Sequence, residues 1–191
     1  MKTIITALAV LICVSITTQT SFSQTAEEMK KWTEYMTPGE CHKKMADCKG
    51  TWKAKGQFWM DPKAEPTAFE GSATAEMILG GRYLMMKHSG MMFGMPFEGI
   101  SIEGYDNATK MFNSAWVDNM GTGIMYMTGK LDDATKTISY TGQMCDPMTG
   151  KMCDVRQTAK MNDDGTMSME MYGPDKVTGK EFKTMQITMT R

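Results

Sequence analysis

Histidine is nearly absent: the 191 residues hold two. None of the H-E-x-x-H, G-x-S-x-G or C-x-x-C motifs occurs. That removes the material for a zincin, a hydrolase nucleophile elbow, or a thioredoxin-like or c-type haem motif. No excess of either charge exists, with 21 basic against 22 acidic residues. Nucleic acid and anionic membrane surfaces are therefore not expected partners. Beyond the first segment there is no long hydrophobic run, so no membrane span is expected after it. Leucine, valine and isoleucine are also scarce. Residues 24–191 contain three, three and six of them. Methionine takes their place, with 24 in the whole sequence.

The one apolar run opens the sequence. Met1-Lys2 is basic, residues 3–17 are largely apolar, and Ser21-Phe22-Ser23 gives a small-x-small site before Gln24. This reads as a signal peptide over 1–23, and the exported chain should begin at Gln24. A lipid anchor at Cys13 is disfavoured because bulky Ile12 precedes it. An exported protein, periplasmic or secreted, is the expectation.

Residues 24–39 form the expected N-terminal helical segment. Thr25 to Met36 combines good helix formers with acidic residues ahead of basic ones, and Thr37-Pro38-Gly39 stops it. A second short helix is allowed from Glu40 to Asp47. From Thr51 onward, period-two alternation sets in. Met167, Met169 and Met171 alternate with Ser168, Glu170 and Tyr172; Met185, Ile187 and Met189 alternate with Gln186, Thr188 and Thr190. Ten strands are predicted, near 51–59, 67–79, 82–89, 97–105, 110–117, 122–130, 136–144, 153–161, 166–172 and 181–190. Tight turn signals join them, such as Gly80-Gly81 and Asp106-Asn107. The fold class is all-β: an antiparallel up-and-down barrel of about ten strands, closed because closure removes two exposed edges. Such a barrel can hold a small molecule.

Methionine is expected mainly as the default aliphatic of the dry strand faces. Two sharper readings stand beside that. His88, Met91, Met92 and Met95 form a loop cluster with one nitrogen and three sulfurs, a soft-metal set suited to copper. Flexible Met side chains also suit an adaptable apolar pocket. Cys41, Cys48, Cys145 and Cys153 make an even count after Cys13 is removed, which in an exported chain predicts two disulfides. Cys145 and Cys153 flank one turn, although they fall on opposite strand parities. Cys41 and Cys48 lie too far apart on an unbroken helix to pair. Cys41, His42, Met45 and Cys48 offer a further soft-metal set without a standard spacing.

A wider pattern carries a resemblance. Pro38-Gly39-Glu40-Cys41-His42-Lys43-Lys44-Met45 leads through Gly50-Thr51-Trp52 into the first strand. Ile78-Leu79-Gly80-Gly81-Arg82-Tyr83-Leu84, Gly104-Tyr105-Asp106-Asn107 and Trp116-Val117-Asp118-Asn119-Met120 follow. Over residues 40–191 the sequence resembles the DUF1579 family of bacterial domains of unknown function. The resemblance implies a lipocalin-like (calycin-type) barrel and no established reaction.

The expected function is non-enzymatic binding of a small apolar or amphipathic molecule, with no cofactor. Arg82, Leu84, Met86 and His88 share one parity and could line the interior, with Tyr105, Trp116 and Tyr126 as aromatic candidates. The opposite parity would put Tyr83 and Met85 inside. The rival readings are copper handling, and an enzyme acting on a barrel-bound molecule through Arg82, His88, Asp118 or Tyr105. A haem ligand at His88 is a lesser variant. The oligomeric state is open.

Overall fold

The computed structural model describes residues 25–191. The expected signal peptide and Cys13 lie outside the described residues. Helix α1 spans Ala26–Met36 and α2 spans Glu40–Ala46. The Thr25 hydroxyl accepts from the Glu28 N–H while Glu28 accepts from the Thr25 N–H, a reciprocal cap that satisfies two orphan donors. In α2 the His42 ring plays a similar part: Nδ1 accepts from the Gly39 N–H at 3.0 Å.

Ten strands follow: β1 Gly50–Phe58, β2 Thr67–Ile78, β3 Tyr83–Met92, β4 Met95–Asp106, β5 Met111–Asp118, β6 Met125–Asp132, β7 Thr137–Asp146, β8 Lys151–Met161, β9 Met167–Pro174 and β10 Glu181–Thr190. Each pairs antiparallel with its neighbours in sequence. The pairing of β1 with β10, from Lys53↔Thr190 to Phe58↔Met185, closes the barrel. The up-and-down closed barrel expected from the alternation is therefore the fold, with two helices ahead of it.

Helix α2 lies against β2, β3 and β4 at the end of the barrel where β1 begins. Its Met45 is 4% exposed and joins the core beside Trp52. Trp52 is fully buried, and its Nε1–H donates to the Cys48 carbonyl at 2.8 Å. The Arg191 guanidinium lies 4.7 Å from the Trp52 ring centre and donates to the Asp47 and Lys49 carbonyls. One tryptophan thus binds the helix, the first strand and the residue after the last strand into a single plug.

Helix α1 contributes no buried residue. It is held by its C-terminal carbonyls. The Arg82 guanidinium, exposed on the surface, donates to Met36 O at 2.7 Å and Leu79 O at 3.1 Å. Asn107 Nδ2 lies within hydrogen-bond distance of the Glu34, Tyr35 and Thr37 carbonyls. Two of the sequence motifs, G-G-R and G-Y-D-N, thereby acquire a structural role as anchors for the end of α1.

Two expectations are corrected here. All four cysteines of the described residues are free thiols, so the two disulfides are not formed. The register explains the hairpin pair: Cys145 stands opposite Met152 and Cys153 opposite Met144, which turns the two thiols to opposite faces of the sheet. The placement of Arg82 beside Leu84 on the inner wall also fails. Strand β3 begins at Tyr83, so Arg82 belongs to the turn, where strand parity does not extend.

Candidate functional site

The barrel encloses a cavity of about 620 Å³. Its wall is set by register. On β3, Leu84, Met86 and His88 face inward, opposite Glu103, Ser101 and Gly99 of β4. Across from them, β8, β9 and β10 turn Ala159, Met161, Met167, Met169, Met171, Met185, Ile187 and Met189 to the same space. The methionines of the two alternating segments thus line a cavity rather than fill a solid core. Thioether side chains are flexible and polarizable, so this wall can conform to an irregular apolar guest.

The opposite wall breaks the usual polarity. Ile100 and Ile102 of β4 point outward and are 38% and 40% exposed, while Ser101 and Glu103 point inward. Strand β5 does the same, with Val117 outside and Ser114 inside. Because side chains alternate strictly, a one-residue slip would bury the isoleucines instead. The register nevertheless holds the polar set inside: Ser101 pairs with Trp116, and Glu103 with Ser114.

Glu103 is the central group. It sits within the protein mass, and burial raises its carboxyl above the ordinary value, only partly offset by the Tyr140 hydroxyl. That hydroxyl reaches across from β7 and donates to Oε2 at 3.3 Å. Tyr140 is itself fully buried, and burial together with Glu103 holds its hydroxyl neutral. Gln157, the β8 partner of Tyr140, lines the cavity beside it. Glycine makes this geometry possible at Gly129, where a Cβ would sit 2.6 Å from the Tyr140 ring.

Nearer the other end, His88 stands edge-on to Trp116 with ring centres 5.1 Å apart, and Phe97 stacks on the same indole. Burial lowers the His88 pKa to about 4, so the ring is neutral at physiological pH. Trp116 Nε1–H donates to Asp118 Oδ2 at 2.6 Å, which occupies the W-V-D motif with a local bond. A Cβ at Gly99 would fall 2.5 Å from the indole, so glycine lets the ring lie against β4.

Of the residues singled out in the sequence, Leu84, Met86, His88 and Trp116 share the cavity wall. Arg82 does not. Tyr126 faces outward, 55% exposed, with its hydroxyl donating to Asn113. Tyr105 packs outside the cavity between His42 and Phe112. Met91 and Met92 reach the cavity with His88, whereas Met95 lies at the exposed hairpin end. The Cys41, His42, Met45 and Cys48 set is otherwise engaged. His42 caps its helix, Met45 is core, and burial pushes the Cys48 thiol up to about 12. Among the described residues, no group of three or more His, Cys, Asp or Glu side chains could hold a metal ion. Ser101, Glu103, Ser114, Tyr140 and Gln157 were not singled out. For Ser101 and Glu103 the only signal is the parity of β4, which hydrophobicity alone assigns the wrong way round.

The fold and the cavity define a closed ten-stranded barrel with an apolar interior and one polar wall. The chain belongs to the DUF1579 family, described as a protein of unknown function, whose pattern matches residues 37–191. No curated protein matches the sequence.

Proposed function

We propose that this protein binds a small, mostly apolar molecule inside the barrel. The observation that supports the reading is the cavity of about 620 Å³, walled by methionines on one side and by a small polar set on the other. Ligand sites are commonly built this way, apolar with a few convergent polar groups. Nile red, a neutral environment-sensitive dye, should bind one per chain with a blue-shifted emission. Met169→Trp extends an indole into the cavity and should weaken that binding by about tenfold or more, a loss near 1.4 kcal/mol. A melting curve shows that the variant folds. Dye binding that Met169→Trp leaves unchanged would mean that the dye sits elsewhere, and the reading would fall.

Export belongs to the same proposal, supported by the basic start, the apolar run and the Ser21-Phe22-Ser23 site. The intact mass of protein recovered outside the cytoplasm should correspond to a start at Gln24. A retained 1–23 segment would contradict it.

A further inference from the structure

The interior is one-sided in charge as well as in polarity. Five carboxyl groups border the cavity; Asp47, Glu70 and Asp133 are exposed to solvent, and Glu103 and Asp118, on the inward rows of β4 and β5, are half-buried. Asp118 is satisfied by the Trp116 Nε1–H and the Met120 N–H. Glu103 is not. Its Oε2 accepts from Tyr140, but Oε1 accepts no hydrogen bond among the described residues. No buried side-chain oxygen or nitrogen among the described residues is without a partner, so Oε1 is open to the cavity rather than walled in by protein.

No cation among the described residues answers this carboxyl. Lysines border the cavity only at the α2 end. Lys44 is bonded to Asp133 and Lys136 to Asp163, each at 2.6 Å, and Lys160 is exposed to solvent. Arg82, the anchor that an acidic head group would need, lies outside the barrel in the turn before β3, bonded to the Met36 carbonyl of α1. The titratable groups nearest Glu103 on other elements are Tyr140 and Cys48, and neither is a cation.

Desolvating a carboxyl without a counter-charge is costly, and the register that does so also exposes two isoleucines. A guest that supplies the missing cation removes that cost. Six residue steps along β4 lead from Glu103 to Phe97, about 20 Å of strand. Along that length lie the Trp116 and Phe97 rings on one side and the methionines on the other.

We infer that the guest is an amphipathic organic amine, whose ammonium donates to Oε1 of Glu103 and whose apolar body fills the methionine-lined space. The pair forms as carboxylate and ammonium. This inference rests on the reading of the barrel as a binding protein and names the chemistry of its ligand.

The test compares three probes of equal chain length: decylamine, decanol and decanoate. Each displaces Nile red from the protein, below its own aggregation threshold. Decylamine should bind about 10–100-fold more tightly than decanol, as a charge-assisted hydrogen bond provides, and decanoate should bind weakest. In Glu103→Gln the amide still accepts from Tyr140, and the ratio of decylamine to decanol affinity should fall to about one. Equal affinity for the three probes, or an amine preference that survives Glu103→Gln, would overturn the inference and leave apolar binding intact. Failure of Nile red and all three probes to bind would overturn the binding reading itself. The comparison on the unaltered protein decides the matter even if the variant does not fold.

Discussion

Replacing Trp52 with alanine should destabilise the barrel by about 3–5 kcal/mol, the usual range for removing a fully buried tryptophan. Three losses coincide there. The ring has no exposed surface, so its removal leaves a void in the plug. The Cys48 carbonyl loses the indole donor, and the Arg191 guanidinium loses the face on which it lies. Trp52→Phe keeps much of the volume and should cost less, about 1–3 kcal/mol for the unmade hydrogen bond. Urea unfolding followed by circular dichroism separates the two variants. A small effect of Trp52→Ala would mean that the α2 end of the barrel holds without its plug.

Acid should destabilise the protein through His88. The ring is buried as the neutral form, and its pKa is lowered to about 4. A depressed histidine binds fewer protons in the native than in the unfolded state. Its contribution is therefore complete above the unfolded value near 6.5 and is lost as pH falls towards 4. At pH 4 the loss amounts to about 3 kcal/mol relative to neutral pH. Glu103 works against it. Its raised pKa means that the native state binds more protons, so its contribution improves as pH falls towards 4.5. The raw stability curve mixes both groups. The difference between the natural protein and His88→Phe isolates the histidine, because only one of them titrates there. That difference should shift by about 3 kcal/mol in favour of the variant between pH 7 and pH 4. A pH-independent difference would show that the ring is hydrated in the cavity rather than desolvated by it.

Much of the architecture was legible because each strand repeats a period of two between turn signals. Met167–Met171 and Met185–Met189 state their inner faces directly, and the structure turns those methionines inward. The row Leu84, Met86 and His88 was one of two parities the sequence left open, and the structure turns this one inward. The misreadings have distinct physical causes. Arg82 lies one residue before its strand begins, so extending the parity to it had no basis in the pleat. Tyr126 stands opposite outward-facing Ala115 and is carried outside by the register between β5 and β6, which composition does not encode. The polar wall was hidden most deeply. On β4 the isoleucines imply the wrong inner face, and only the pairing of Ser101 with both Met86 and Trp116 reveals the true one. Local pattern and global fold disagree there, and such disagreements concentrate where a protein does something other than pack.

The seam between β1 and β10 also bears on how the chain is made. Nine of the ten strand pairings join neighbours in sequence and can form as soon as each hairpin has emerged. The tenth joins Lys53 to Thr190 and must wait for the final strand. Until then the growing sheet has two free edges, and Trp52 lacks the arginine that covers it. Ring closure between such distant residues is entropically slow and should limit the folding rate. During synthesis the polypeptide is thus an open, unlatched sheet, and it becomes a container only when its last strand is in place.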